Sequence, residues 1–400
     1  MTGSLRIRSL EIHTLAIPLR LRFEHAAAAR SASDPVLVRL QAEAPFMRCA
    51  GFGETLARSY VTGETQETVI EDLSRFFAPH LLDFRPDSFE AAVDFIDQLP
   101  ARFDGRLVNA ARAAIELALL DLTCKAFERP IAAAAALRLP SNEFGPPGCV
   151  DRARYSGQVV GRSRSKLAAV LRAQRCYGLR DFKLKVATPG WESRLQNAHR
   201  VLRGALRRGQ ASLRVDANAG WTLSEAMHAA PLLERCGVCA LEQPLPVGDD
   251  ALLRELAASL RCDLIADESL RTIDDAQRLI TGGAVRVFNV RIAKNGGLLA
   301  SLKIAQVALE AGLDLQLGCL VGETSLLTAA GVRFLELCPT VRFVEGGFGR
   351  WLLRRDVLAQ PLGFGRGGRI GRLSDAGLGI DPDPERLRDL AAREATCIHY

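Results

Sequence analysis

Eight short apolar segments recur along most of the chain, and a segment with helical periodicity separates each from the next. They cover 155–160, 181–186, 212–216, 238–242, 263–267, 285–292, 314–318 and 341–345. Strands that alternate with helices favour a parallel sheet, and eight such repeats predict a closed barrel of about 250 residues. The expected fold class is therefore α/β, with a barrel as the larger part.

The first 130 residues follow a different pattern. Residues 5–19 and 36–42 alternate apolar and polar side chains around a loop from Phe23 to Asp34, which predicts an antiparallel sheet. Helical patterns follow at 66–78, 88–98 and 106–126. We expect an α+β capping domain over 1–130, a barrel over 131–360 and a C-terminal segment over 361–400. Within that last segment GLGID, at 377–381, is interpreted as a strand that returns to the cap.

The formal net charge of +6 comes largely from arginines scattered over the chain. The only cluster, at 200–208, falls on an expected outer helix, and no stripe of basic residues interleaved with aromatic ones accompanies it. We therefore predict no nucleic-acid partner. No run of 18 uncharged apolar residues occurs either, so no membrane span is predicted.

The ten cysteines are sparse for 400 residues and lie mostly in apolar runs, where a free thiol packs as a small hydrophobic group. Cys236 and Cys239 form an isolated CxxC with no second pair and no thioredoxin-like context. We interpret both as structural. Cysteines used in this way predict a cytoplasmic protein.

Three carboxylates end three of the apolar runs, namely Asp216, Glu242 and Asp267, and they are spaced by about one strand-helix repeat. The C-terminal ends of barrel strands meet at one mouth, so these side chains are expected to converge there. Three carboxylates that face one point need a cation. With oxygen ligands alone the expected ion is hard, Mg²⁺ before Mn²⁺.

Three lysines accompany the carboxylates: Lys183 and Lys185 precede them, and Lys294 follows. Removal of a proton α to a carboxylate produces an enediolate, whose two charged oxygens must be neutralised. Lysine can act as the base if its pKa falls from about 10.4 toward neutrality. Lys183 and Lys185 lie on one face of a strand, so each cation disfavours charge on the other.

These residues lie in motifs that resemble those of the enolase superfamily, in its muconate-lactonizing-enzyme-like subgroup of the mandelate racemase/muconate lactonizing enzyme family. The resemblance implies a (β/α)7β modified TIM barrel beneath an α+β capping domain that the C-terminal segment completes. The motifs are GFGE at 51–54, KLK at 183–185, DAN at 216–218, EQP at 242–244, DES at 267–269, KNGG at 294–297, GETS at 322–325 and GLGID at 377–381.

The resemblance also implies roles for the lysines. Lys185 becomes the base on one face of the substrate, Lys294 the acid or base on the other, and Lys183 the group that tunes Lys185. A small carboxylate would be the substrate and Mg²⁺ the cofactor. Because the family is usually oligomeric, a homo-oligomer is expected.

Further polar residues could touch the substrate or the metal ligands, although each could instead cap a turn or a helix or face water. Arginines of the cap loops would suit a second anionic group on the substrate. No histidine lies between 229 and 398, which excludes a histidine base on strands five to eight. The candidates are Asn218, Gln243, Glu268, Glu323, Glu345, His25, Arg58 and Tyr60.

Two lysines across a substrate plane permit several reactions. The expected enzyme is an isomerase, either a racemase or epimerase or a muconate-type cycloisomerase; a lyase that performs syn β-elimination, as in o-succinylbenzoate synthesis, is the alternative. Dipeptide epimerases of the subgroup carry Asp-x-Asp at the eighth strand, where this chain has VEGGFG at 344–349. A hypothesis from another class is a catalytically inactive metal-binding barrel, against which the retained lysines argue.

Overall fold

The structure is a computed structural model that describes residues 3–25, 28–139, 144–161, 163–373 and 376–400; side chains within 21–29 lie outside the description. Strands that form the cap and strands that form the barrel follow one another along the chain. They are β1 (Ile7–Thr14), β2 (Ile17–His25), β3 (Ala28–Ser33), β4 (Val36–Ala42), β5 (Ala50–Thr55), β6 (Arg102–Phe103), β7 (Arg106–Leu107), β8 (Gly157–Gln158), β9 (Asp181–Lys185), β10 (Ser212–Asp216), β11 (Ala240–Glu242), β12 (Asp263–Ala266), β13 (Val287–Val290), β14 (Asp314–Leu317), β15 (Phe343–Val344) and β16 (Thr396–His399).

The helices alternate with the strands of the barrel and cover one face of the cap sheet. A π-helical stretch, Asp72–Phe77, joins the first two. They are α1 (Gln66–Glu71), α2 (Ala78–Leu81), α3 (Phe89–Asp97), α4 (Asn109–Ala126), α5 (Ile131–Arg138), α6 (Arg164–Cys176), α7 (Trp191–Arg207), α8 (Leu223–Arg235), α9 (Asp250–Ser259), α10 (Ile273–Gly282), α11 (Leu298–Glu310), α12 (Ser325–Leu337), α13 (Gly349–Leu352) and α14 (Pro384–Leu390).

The cap contains an antiparallel sheet in the order β16-β1-β4-β5, so its edge strand comes from the C-terminal segment. Alternation along β1 directs Leu10 and Ile12 into the core, and a register shift between Ile7 and Ser9 accompanies the burial of Ile7. Helix α4 lies against β4 and β5 and is buried on almost every residue, as its Ala- and Leu-rich sequence predicts. The cap core therefore continues to the top of the barrel.

The barrel strands are parallel and follow chain order from β8 to β15. A parallel bridge between Tyr155 and Val344 joins the first strand region to the last, and the Ser156 N–H donates to the Val344 carbonyl at 2.8 Å. Outer helices bury one stripe each; in α7 the buried residues are Leu195, Ala198, Leu202 and Ala205. All eight predicted barrel strands and the (β/α)7β architecture are confirmed.

Two predictions about the cap are wrong. The described residues of the predicted loop from Phe23 to Asp34 lie mostly in strands, because Phe23–His25 ends β2 and Ala28–Ser33 forms β3, which pairs with it. The GLGID segment is not a strand: Gly377 and Gly379 have φ of 64° and 76°, which a pleated strand does not accommodate. The strand that returns to the cap is β16, whose Ile398 pairs with Leu10 of β1.

All ten cysteines are free thiols in the structure; four are buried, four are half-buried, and Cys176 and Cys397 are exposed. Within the part of the chain that is described, no helix combines the length and the apolar character needed to cross a membrane.

Candidate active site

Five successive barrel strands have a lysine or carboxylate of the predicted site at or just beyond their C-terminal ends, and β9 carries Lys183 in addition. Lys185, Asp216 and Glu242 are the last residues of β9, β10 and β11, and Asp267 directly follows β12. Lys294 lies four residues beyond β13. The parallel register pairs Lys185 with Asp216 and Asp216 with Glu242, so these side chains meet at one mouth of the barrel.

Lys183 is the cation at the centre of the cluster and is almost completely buried. Its Nζ lies 3.2 Å from Asp216 Oδ2, 3.1 Å from Glu242 Oε2 and 2.7 Å from Glu345 Oε2. Burial alone would lower the pKa of Lys183, but Glu242, Glu345 and Asp216 together outweigh it and raise that pKa. Lys183 therefore stays charged, as an electrostatic partner must.

Lys185 is the lysine that reaches open space. Its side chain is 24 % exposed, and its Nζ donates to Asp216 Oδ2 at 2.6 Å and to Asn218 Oδ1 at 2.7 Å. Asn218 is held in turn, since its N–H donates to Asp216 Oδ1 and its amide donates to Glu268 Oε1. The ammonium is thus aimed by two acceptors and remains accessible.

Lys294 lies on the other side of the three carboxylates and is fully buried. Its Nζ donates to Asp267 Oδ1 at 2.9 Å, to the Asp267 carbonyl at 2.7 Å and to the Asn289 carbonyl at 2.8 Å. Burial lowers the pKa of Lys294 more than Asp267 raises it, and neighbouring Arg291 lowers it further.

Four polar residues that the sequence analysis did not select contact the same cluster. Arg291 contacts Asp267 and lies 3.5 Å from Glu242 Oε1, and Arg214 donates to Glu345 Oε1 at 2.7 Å. The amides of Asn289 and Gln316 donate to the two oxygens of Glu242 at 2.8 and 3.0 Å. Arg214, Asn289 and Gln316 lie on strand faces that point into the barrel, and Arg291 directly follows β13. The same two-residue spacing that singled out Lys183 and Lys185 also relates Arg214 to Asp216.

The three predicted metal ligands are linked by cations. Lys183 bridges Asp216 and Glu242, and Arg291 bridges Glu242 and Asp267. Among the described residues, no group of three or more His, Cys, Asp or Glu side chains lies close enough together to hold a metal ion. The donors nonetheless fit a hard ion chemically, because all are carboxylates and a further carboxylate oxygen, Glu268 Oε2, is buried without a hydrogen-bond partner.

Glu268 and Gln243 follow the strand ends. Burial, with Asp267 and Asp216 nearby, raises the pKa of Glu268 to about 8. Gln243 Oε1 accepts the N–H groups of Asp267 and Ser269 at 3.0 and 3.1 Å, while its Nε2 donates to Ser269 Oγ. Gln243 therefore holds the turn that carries Asp267. Of the two roles that its sequence position allowed, contact with the substrate or capping of a turn, the structure shows the second.

Glu345 follows β15, and Glu323 lies in the loop after β14. Although burial opposes it, Lys183 and Arg214 lower the pKa of Glu345 to about 2, so this carboxylate is charged and paired on both oxygens. Burial raises the pKa of Glu323 to about 8, and the Leu320 N–H donates to its Oε1 at 2.6 Å. The two acids therefore differ in protonation at neutral pH.

The cap fixes the loop that follows β14. Arg58 is 1 % exposed and donates to Asp34 Oδ1, to the Ala57 carbonyl and to the Val321 carbonyl. Ser33 Oγ donates to the Gly322 carbonyl at 2.7 Å, and Glu54 accepts the N–H and the hydroxyl of Thr324. Arg58 is thus a structural group, and Tyr60 is the cap residue that lines the site. The side chain of His25 lies outside the described residues.

A cavity of about 330 Å³ opens above the cluster, within the range of small-molecule sites. Lys183, Lys185 and Arg291 line one end, together with Asn218, Glu323 and Glu345. Tyr60, Gln158 of β8, Gln174 of α6 and residues that follow β8, β14 and β15 form the remaining walls. Lys294, Gln243, Glu268 and Arg58 lie behind this lining.

Comparison with known proteins agrees with this geometry. The family model described as mandelate racemase / muconate lactonizing enzyme, N-terminal domain, matches residues 9–134, and the enolase C-terminal domain-like model matches residues 166–386. The muconate cycloisomerase 1-2 of Acinetobacter lwoffii is 28 % identical over 90 % of this chain and 89 % of its own. The hydrophobic dipeptide epimerase of Enterococcus faecalis is 26 % identical over 82 % and 86 %.

Among solved structures, a muconate lactonizing enzyme from Pseudomonas fluorescens in complex with muconolactone superimposes with a TM-score of 0.81. It is 27 % identical to this chain, and the match covers 96 % of this chain and 99 % of the other. The similarity therefore spans both the cap and the barrel. The chain belongs to the enolase superfamily, in its muconate-lactonizing-enzyme-like subgroup, and is an isomerase.

Proposed function

We propose that the protein catalyses a 1,1-proton transfer, racemisation or epimerisation, at the carbon α to a carboxylate. The observation that carries this proposal is the order of charges on five successive strands: Lys185, Asp216, Glu242, Asp267 and Lys294. Such an order puts a basic group at each end of a carboxylate cluster.

The two lysines belong to opposite sides of the barrel. Three strands separate β9 from β13 in one direction around the ring, and three strands, β14, β15 and β8, separate them in the other. A substrate bound over the carboxylates would therefore have Lys185 on one face and Lys294 on the other. That arrangement allows one lysine to remove the proton and the other to return a proton from the opposite face.

Asp216, Glu242 and Asp267 would hold Mg²⁺, or else Mn²⁺, which as a Lewis acid stabilises the negative charge that develops on the substrate carboxylate. Lys185, when neutral, takes the α-proton, and the electron pair moves into the carboxylate to give the enediolate. Lys183 adds a fixed positive charge beside these oxygens. Lys294, whose pKa burial lowers, donates the proton that completes the reaction.

Glu323 supports the same chemistry from the cavity wall. Because burial raises the pKa of Glu323 to about 8, its carboxyl group carries a proton at neutral pH and can donate a hydrogen bond to a substrate oxygen. A neutral donor at that position stabilises charge as it develops on the oxygen without repelling the substrate carboxylate before the reaction.

The substrate is a small carboxylate in this proposal, since relatives are named for muconate, for dipeptides and for N-succinyl-arginine or -lysine. Cycloisomerisation and syn β-elimination remain as outcomes of the test below, because a single base suffices for either. A cytoplasmic location and a homo-oligomer remain predictions.

The test uses enantiopure N-acyl amino acids and dipeptides, with Mg²⁺ in D₂O, and NMR detection of α-proton exchange. For the probe that exchanges fastest, Lys294→Ala is expected to abolish exchange from one enantiomer and to retain exchange from the other through Lys185. Lys185→Ala is expected to show the reverse preference, because a base reaches only the hydrogen on its own face. Lys166→Ala, at an exposed position outside the cavity, is the control.

Equal loss of exchange from both enantiomers in both folded, metal-loaded variants would contradict the two-faced arrangement. A one-base cycloisomerase or lyase would then be the better assignment. Absence of exchange with every probe in the unmodified protein, with Mg²⁺ demonstrably bound, would favour a metal-binding barrel without catalysis.

A further inference from the structure

One part of the cavity lining is apolar. It consists of Val160 after β8, Leu320 and Val321 after β14, and the α13 segment with Phe348, Trp351 and Leu352. Val160 is 48 % exposed and Trp351 39 % exposed, so both present apolar surface that a ligand could cover. Such surface next to a reacting centre is suited to an apolar part of a ligand.

Aromatic packing holds the wall in place before any ligand binds. The rings of Trp351 and Phe348 lie with their centroids 4.5 and 5.4 Å from that of Phe364, which stacks on Tyr155 at 5.2 Å. On the facing loop, Arg58 donates to the Val321 carbonyl. A surface fixed in this way binds a complementary group with little further loss of conformational entropy.

Charges suited to a second ionic group are not free in the described part of the cavity. Its only cations are Lys183, Lys185 and Arg291, all at the carboxylate end. Arg58, the cap arginine considered for an anionic substrate, is buried outside the lining with its guanidinium bonded to Asp34 and to backbone carbonyls. The acids among the described lining residues are Glu345, which is bonded to Lys183 and Arg214, and Glu323, which accepts the Leu320 N–H and is kept largely uncharged because burial raises its pKa to about 8.

We propose that the substrate carries a bulky, uncharged apolar group away from the reacting carbon, and that Trp351 and Val160 form the surface that selects it. This inference rests on the proposed function, since it assigns the substrate class of the same site. An apolar group buried against the wall gains about 25 cal/mol per Å². A charged group there would lose hydration at a surface whose neighbouring cation, Arg350, already lies over the Trp351 ring, 5.2 Å from its centroid.

The experiment compares six probes with N-acetylalanine in Mg²⁺-loaded enzyme, by α-proton exchange in D₂O and by calorimetric binding. N-benzoylalanine and N-acetylphenylalanine are apolar, N-succinylalanine and N-acetylglutamate are anionic, and β-alanylalanine and N-acetyllysine are cationic. At least one apolar probe is expected to exceed every charged probe in kcat/KM by about tenfold or more.

Variants then locate the selecting surface. Trp351→Ala is expected to reduce the ratio of kcat/KM between the preferred apolar probe and N-acetylalanine by about tenfold. Trp191→Ala, which removes a tryptophan that packs on Trp221 outside the cavity, is expected to leave this ratio unchanged. Should Trp351→Ala fail to fold, Val160→Lys at a half-exposed position is expected to shift the preference toward the anionic probes.

The outcomes separate the two proposals. A charged probe that is preferred in exchange and binding overturns the apolar assignment and leaves the proposed proton transfer intact. Preferential binding of the apolar probes without any exchange sustains the apolar assignment and overturns the proton transfer. A ratio that neither Trp351→Ala nor Val160→Lys changes would also overturn the assignment of the wall.

Discussion

Glu116 in the cap helix α4 gives the sharpest test of how the cap is joined to the barrel. The carboxylate is fully buried and accepts the N–H groups of Leu298 and Leu299, at 2.9 and 2.7 Å, at the start of barrel helix α11. Burial raises the pKa of Glu116 from its usual 4.5 to about 7, although Arg112 and the two backbone donors oppose the shift. We expect Glu116→Gln to remove a pH dependence from the stability of the protein.

The sign and size follow from proton linkage. Between pH 4.5 and pH 7 the folded state holds a proton on Glu116 that the unfolded chain has lost, so the free energy of unfolding falls as the pH rises. A pKa shift of this size stabilises the folded state by about 3 kcal/mol. This contribution is fully present below pH 4.5 and is lost by the time the pH passes 7. Glutamine has no such proton, so the variant lacks this contribution, whereas other buried acids with raised pKa values, such as Glu323 and Glu268, affect both proteins alike.

Urea unfolding of the wild type and of Glu116→Gln, followed by tryptophan fluorescence from pH 4.5 to 7.5, measures the difference. At pH 4.5 the variant should be less stable by about 1 to 2 kcal/mol, because its amide nitrogen cannot accept an N–H. That deficit should shrink or reverse toward pH 7.5. A difference that stays constant with pH would refute the argument. Glu90→Gln is the control: the Glu90 side chain is exposed to water in the folded protein as well as in the unfolded chain, so this variant should show no such trend.

Three further results are expected. In Gly297→Ala the new Cβ would lie 2.4 Å from Glu116 Cδ, which should lower the free energy of unfolding by about 3 kcal/mol. In the control Gly312→Ala, φ is also positive but no neighbour lies within 4 Å, so the expected loss is about 1 kcal/mol. Equal losses in the two variants would contradict the steric explanation. EDTA should abolish proton exchange and Mg²⁺ restore it, whereas full activity of Asp216→Asn would refute its assignment as a ligand. Lys183→Met leaves the buried carboxylates without the cation that they share, so the free energy of unfolding measured in urea should fall by about 3 kcal/mol or more. An unchanged urea midpoint would argue against a stabilising role for these ion pairs.

The barrel was predictable because its signals are local and repeat. Each strand is a short apolar run, and the acid at its end, as in Asp216 and Glu242, recurs at the period of one strand and helix. The cap was harder. The β3 sequence AARSAS has few residues with strand propensity, so its conformation depends on pairing with β2 rather than on its own residues.

Within the site, it was easier to predict which residues are present than which residues each of them contacts. Arg214 within β10 and Arg291 just after β13 have no distinguishing sequence context, and only barrel closure brings them to Glu345 and Asp267. Arg58 shows the reverse case: its loop position suggested contact with substrate, but burial and three acceptors make it structural. Sequence spacing does not report which side of a loop faces the interior, so such assignments need coordinates.

Arg58, Ser33 and Glu54 hold the segment from Val321 to Thr324 from above, so the shape of the binding site is shared between two parts of the chain. Anyone who redesigns specificity by transplanting that loop from a homologue would have to transplant its three anchors in the cap as well. Directed evolution faces the same coupling. A library that varies only the barrel would test new loop sequences against cap residues that still fit the original loop. Many useful substitutions should therefore emerge only from libraries that vary the loop and its cap residues together.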